Sequence, residues 1–137
     1  MPERLRPMLA RARSARDAGD HRGAALGYFQ AADKARSVEL FGELAHCLVR
    51  GSEHALQVDE ARLALDAAEE ALAVYGKTEI PPDMNYAESA RLVALALEGL
   101  GQWDQAKAYW EKARPIFDLN GIKPRVEECD DHLGAAH

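Results

Sequence analysis

Cys129 and His132 stand three residues apart beside Asp130 and Asp131, with His137 nearby. On a helix that spacing brings a thiolate and an imidazole to one face, the first requirement of a transition-metal site. One terminal helix cannot make four such ligands converge. Cys129 therefore reads with Leu133 as a packed face, and the acids as a wet one. His21, His46 and His54 are scattered. His46 and Cys47 are adjacent, so they point to different sides of a helix and do not form a nucleophile–base pair. No glycine loop of the phosphate-cradling type is present, and LEGLG at 97–101 reads as a helix end. The expectation is a non-enzyme with no catalytic, metal-binding or cofactor-binding residues.

The elements that carry these residues are helical throughout. Leu, Ile, Val and Phe together number only 28 of 137 residues, and 26 alanines supply the missing apolar bulk. Alanine is the best helix former, and its small side chain lets helices approach closely. No alternating β-branched run bounded by hairpin turns occurs. Leu5, Leu9 and Ala12 share one helical face, as do Ala24, Tyr28, Ala31 and Ala35. Breakers fall at Gly19-Asp20, Gly101-Gln102 and Asn120-Gly121, and GKTEIPP at 76–82 reads as a linker. Asp83 is placed to cap the helix after it, and Pro124 to open the last one. These signals give seven helices, at 3–18, 21–37, 41–56, 59–75, 84–99, 103–118 and 124–134.

Net charge is −6, with +3 over residues 1–50 and −9 over 51–137. That balance argues against nucleic acid or an anionic membrane as partner. Two cysteines make no disulfide framework, and no apolar run suits a signal peptide or a membrane span. A cytoplasmic, reduced protein is expected. The Ala- and Arg-rich usage suits a GC-rich bacterial genome.

Alanine recurs on a fixed period. Ala24, Ala64 and Ala106 are each followed four residues on by Tyr28, Ala68 or Trp110, and seven residues on by Ala31, Ala71 or Ala113. Such a period means one supersecondary unit, repeated and stacked. GQWDQAKAYWEKA at 101–113 and GDHRGAALGYFQA at 19–31 resemble the second-helix signature of the tetratricopeptide repeat. Gly101, Trp103, Ala106, Trp110 and Ala113 match all five of its positions. Gly19, Ala24, Tyr28 and Ala31 match four, with His21 in the first aromatic place. In the middle copy Asp59 replaces the glycine, Ala61 the first aromatic and Ala68 the second. Twelve residues before each first alanine the family has a small residue. Here that residue is Ala12, Ser52 or Ala94, and Gly134 echoes it in HLGAAH, with His137 in the tyrosine place. The chain thus resembles a long-period member of the family.

The resemblance implies one all-α domain over 1–137, a right-handed superhelical stack of antiparallel hairpins. Its repeats would span about 5–40, 41–82 and 83–121, with a capping helix at 124–134. Small residues would sit where helices cross, and Tyr28 and Trp110 would fill the gaps between successive pairs. The concave wall would be lined by first helices. Its positions are Arg6, Leu9, Arg13 and Arg16, then His46, Val49, Glu53 and Gln57, then Glu88, Arg91, Leu95 and Glu98, with Asp131 from the last helix. The wall grades from basic to acidic and suits a peptide whose acidic end lies near Arg6, Arg13 and Arg16. The carboxylate grip of the co-chaperone branch is not expected, because Leu9, Glu88 and Leu92 occupy three of its places. The leading expectation is a module that binds a protein or peptide. The alternatives are a self-associating unit, a homo-oligomer joined through its oppositely charged halves, and a regulatory domain that senses a small ligand in the groove.

Overall fold

The computed structural model describes residues 3–134. His137 lies outside them. Among the described residues a 3₁₀ turn, Glu3–Leu5, leads into seven α-helices, and there is no strand. The helices are α1 (Arg6–Asp17), α2 (His21–Ser37), α3 (Phe41–Gln57), α4 (Ala61–Thr78), α5 (Met84–Gly99), α6 (Trp103–Leu119) and α7 (Lys123–Gly134). Each packs on the next, and α3 also meets α5. The protein is an all-α stack of antiparallel helices, as its periodicity implies.

Five of the six connections are the same turn. Gly19, Glu39, Asp59, Gly101 and Gly121 all have positive φ, between 57° and 76°. Each donates its N–H to the carbonyl three residues back. The residues after them, Asp20, Leu40, Glu60, Gln102 and Ile122, each donate to the carbonyl five residues back. This double bond satisfies carbonyls that a helix end would otherwise leave bare, and it reverses the chain in three residues. Asp59, which stands where the repeat signature has glycine, adopts the glycine conformation at φ 60°.

The sixth connection differs from the sequence reading. α4 runs through Gly76 to Thr78, where the sequence implies a linker from 76. A glycine in a helix costs about 1 kcal/mol, and here Val74 and Tyr75 pack against the core. The helix closes with Thr78 Oγ1 donating to the Val74 carbonyl at 3.1 Å and the Glu79 N–H donating to that of Tyr75 at 2.8 Å. Asp83 makes no capping bond to α5. It sits extended after two prolines, and Glu79 folds back instead. Glu79 Oε1 accepts from the Tyr86 N–H at 2.8 Å and Oε2 from Asn85 Nδ2 at 3.1 Å.

Most of the buried apolar residues are alanines. All the second-helix alanines of the period (24, 31, 64, 71, 106 and 113) are buried. Their small size is used for close approach. A Cβ on Gly27 would come within 2.8 Å of that of Ala12, so α1 and α2 touch backbone to backbone. Ser52 is fully buried and donates its Oγ to the Ala64 carbonyl at 2.9 Å, fixing α3 on α4. Ala94 is likewise buried. Gly134 is exposed with open space around it, so it is no packing position. Its place in the register needs a following second helix to cross.

The large residues act as wedges. Tyr28 of α2 is buried, interacts with Arg16 of α1 and stacks on His54 of α3 at 5.8 Å. Trp110 of α6 is buried, donates Nε1 to Glu98 of α5 at 2.9 Å and stacks on His132 of α7 at 4.2 Å. The Cα atoms of α1 and α3 nowhere come within 8 Å, nor do those of α5 and α7. Ala68 fills the equivalent place in α4, and there α3 and α5 do close on each other.

Two predictions follow the turns and the wedges. A Cβ at Gly101 would meet nothing within 4 Å, so Gly101→Ala isolates the backbone cost of positive φ. It should lose about 1 kcal/mol, and Asp59→Gly should gain up to about 1 kcal/mol, in urea unfolding. Trp110→Ala should cost about 3–5 kcal/mol in the same assay, against well under 1 kcal/mol for an exposed site such as Leu119→Ala.

Candidate binding groove

The sides of α1, α3 and α5 that carry the repeat's wall positions form a groove with three adjoining hollows. The first, about 290 Å³, lies among Arg16, His21, Arg50, Glu53, His54 and Gln57. The second, about 220 Å³, is lined by His46, Val49, Arg50, Glu53, Tyr75, Asn85, Glu88 and Arg125. The third, about 420 Å³, includes Glu53, Leu56, Gln57, Arg91, Leu92 and Leu95. Glu53 borders all three. The structure thus brings Arg16, His46, Val49, Glu53, Gln57, Glu88, Arg91 and Leu95 to one continuous surface.

The other wall positions lie elsewhere. Leu9 is buried in the core and only its helix reaches the wall. Val49 touches the groove but is also nearly buried. Arg6 and Arg13 are exposed on α1 outside the three hollows. Arg6 pairs with Glu3 at 3.7 Å, while no ion pair holds Arg13 among the described residues. Asp131 is exposed and lines no part of the groove. From α7 it is Arg125, Glu128 and His132 that face α5.

These α7 residues close the acidic end of the groove. Arg91 pairs with Glu128 and Glu88, and Arg125 pairs with the same two carboxylates, at 2.9 Å to Glu88 and 3.6 Å to Glu128. Two cations and two anions form a closed ring across the gap between α5 and α7. Burial works against the Arg91 charge, but the hydrogen bond it donates to Glu128 and the nearby carboxylates outweigh it and leave its pKa raised. Glu98, a wall position in the register, is turned inward. Its carboxylate accepts from Trp110 and meets His132 Nδ1 at 2.8 Å. An indole N–H buried without an acceptor would be costly, and this pull is what takes Glu98 off the wall.

The basic end is built around a histidine pair. His21 Nδ1 and His54 Nδ1 are 2.9 Å apart, so one ring nitrogen donates and the other accepts. His21 opens α2 and His54 lies in the last turn of α3, 33 residues later. No local spacing signals that contact. Antiparallel packing does, because it sets the start of one helix beside the end of the next. Burial lowers the His54 pKa from its ordinary 6.5, helped by His21, Arg16 and Arg50. Burial also lowers that of His46, helped by Arg50 and Arg13. Arg50 holds Glu53 at 2.6 Å.

The groove contains no reactive thiol. Cys47 and Cys129 are free and fully buried, and burial pushes each thiol up to about 11. Cys129 packs in the core rather than joining His132. No cluster of three or more metal-ligating side chains occurs among the described residues. No described helix is long and apolar enough to cross a membrane.

No family model matches this sequence, and none of the curated proteins searched matches it.

The depressed histidines set a sign for pH dependence. Well above pH 6.5 His46 and His54 are neutral in both the folded and the unfolded chain. Below it the unfolded chain takes up protons that folded His46 and His54 refuse, so stability falls with pH until the folded rings titrate. Thermal unfolding should therefore shift to lower temperature between pH 7.5 and pH 5. His54→Gln should flatten that slope relative to wild type.

Proposed function

We propose that the chain is a protein–protein interaction module of the tetratricopeptide type, working in the cytoplasm and receiving a segment of a partner protein in the groove. What supports this reading most is the groove itself. Eight side chains picked out by the repeat register, from three helices, line one recessed surface next to charges of both signs. The 40- to 42-residue spacing of Ala24, Ala64 and Ala106 supports the same assignment.

The charges give the bound segment a direction. Arg13 and Arg16 on α1 and Arg50 on α3 are exposed at one end. Arg16 pairs there with Asp17 and Arg50 with Glu53, while Arg13 has no ion pair among the described residues; at the other end both arginines are held between Glu88 and Glu128. A partner segment would lay its acidic residues toward α1 and its neutral or basic residues toward α5. Exposed charge pairs contribute little affinity each, so this arrangement sets orientation and association rate more than strength.

The test is a pulldown from native lysate with wild-type protein and with the Arg13→Glu, Arg16→Glu double variant. Both side chains are exposed, and circular dichroism of the double variant checks that it is folded. Loss of partners from the double variant is the expected result, and an unchanged partner set would refute the basic end as a contact surface.

A further inference from the structure

The opposite side of the stack carries a second groove. The Cα atoms of α2 and α4 nowhere come within 8 Å, α3 forms the floor between them, and the ion pairs Arg22–Glu60 and Arg36–Glu70 reach across. Two adjoining hollows, about 480 Å³ and 280 Å³, share Phe29 and Leu63. Their lining is mostly apolar. Phe29 lies against Gly51 of α3, so close that a Cβ there would meet the ring at 2.4 Å. Small residues such as Ala25 and Ala67 give the groove depth. Leu26 and Leu63 stand on its edges, 60% and 46% exposed, where water rather than protein covers them.

The rim is charged, and its balance is negative. Asp20, Asp33, Glu60, Asp66 and Glu70 border the two hollows against Arg22 and Arg36. Both arginines are committed, Arg22 to Glu60 at 3.3 Å and Arg36 to Glu70 at 2.7 Å and Asp33 at 2.8 Å. Asp66 has no ion pair among the described residues and is exposed. From position 20 to position 36 the groove follows α2 for about 24 Å, or some four helical turns.

We propose that this α2–α4 groove is a docking site for an amphipathic helix of a partner protein, with an apolar stripe flanked by lysine or arginine. Leu26, Phe29 and Leu63 would bury that stripe, and the surplus carboxylates would meet its flanking cations. Helix-in-groove recognition works by this combination of apolar anchors at helical spacing and a polar border. The site is independent of the groove formed by α1, α3 and α5, and the molecule can hold two partners on opposite sides.

The probe is a fluorescent Leu/Lys amphipathic helix of about 16 residues, long enough to span the groove, followed by anisotropy. A Leu/Glu peptide of the same pattern serves as control. Wild-type protein should bind the Leu/Lys helix at least about tenfold more tightly than the Leu/Glu helix. Leu26→Glu with Leu63→Glu should weaken binding about tenfold or more, and Asp66→Lys several-fold. Arg13→Glu with Arg16→Glu, on the other face, should leave it unchanged. Helical content by circular dichroism checks that each variant is folded. The proposal is overturned if wild type binds neither peptide, binds both equally, or binds the Leu/Lys helix as well with Leu26 and Leu63 replaced. None of these outcomes bears on the groove of α1, α3 and α5, which the arginine variant tests separately.

Discussion

The volume of one side chain in each second helix sets how far apart the neighbouring first helices stand. Tyr28 and Trp110 hold α1 from α3 and α5 from α7. Ala68, in the same place of the middle unit, lets α3 and α5 meet. Wherever an aromatic opens a gap, polar side chains bridge it. Beside Tyr28 the His21–His54 pair ties α2 to α3 at the edge of the gap, and beside Trp110 Glu98 and His132 span from α5 to α7. The ring of Glu88, Arg91, Arg125 and Glu128 spans the second gap further along. The hollows of the groove follow from this alternation of wide and narrow spacing along the stack.

A buried wedge with a polar edge constrains what surrounds it. Trp110 needs an acceptor, and Glu98 supplies one at the cost of leaving the surface. Among the described residues no buried side-chain nitrogen or oxygen lacks a partner. Complete satisfaction of this kind stiffens a site, because any rearrangement must expose a bare donor or acceptor.

Turn positions were the most legible part of the sequence. Gly19, Gly101 and Gly121 announce positive φ by residue type, whereas Asp59, at the glycine place of the period, reads from the sequence as the first residue of a helix at 59–75. Glu39 adopts the same conformation with no such signal, in the same pair of turn hydrogen bonds. The packing alanines were equally legible, since burial follows the helical period. The groove was legible in outline only. Register locates a face of a helix, but it does not say which residues on that face are drawn inward. Leu9 went to the core by hydrophobicity, and Glu98 followed an indole on the next helix. The histidine pair joins residues 33 apart and depends on which helix ends are neighbours. The Glu79 cap was hidden for a similar reason. Asp83 has the right type and position, but its extended backbone leaves the first turn of α5 to a residue four places earlier.

The segment between α4 and α5 stands apart from the five tight reversals. Ile80 is 82% exposed, and Pro81 and Pro82 beside it are exposed as well. Elsewhere the spacing of two helices is tied to a three-residue bend, and a single added residue would break both carbonyl bonds. Here no such lock exists. This is the place where a protease would nick the chain first, and where an added residue would cost only the Glu79 side chain's hold on the start of α5 rather than a pair of backbone bonds.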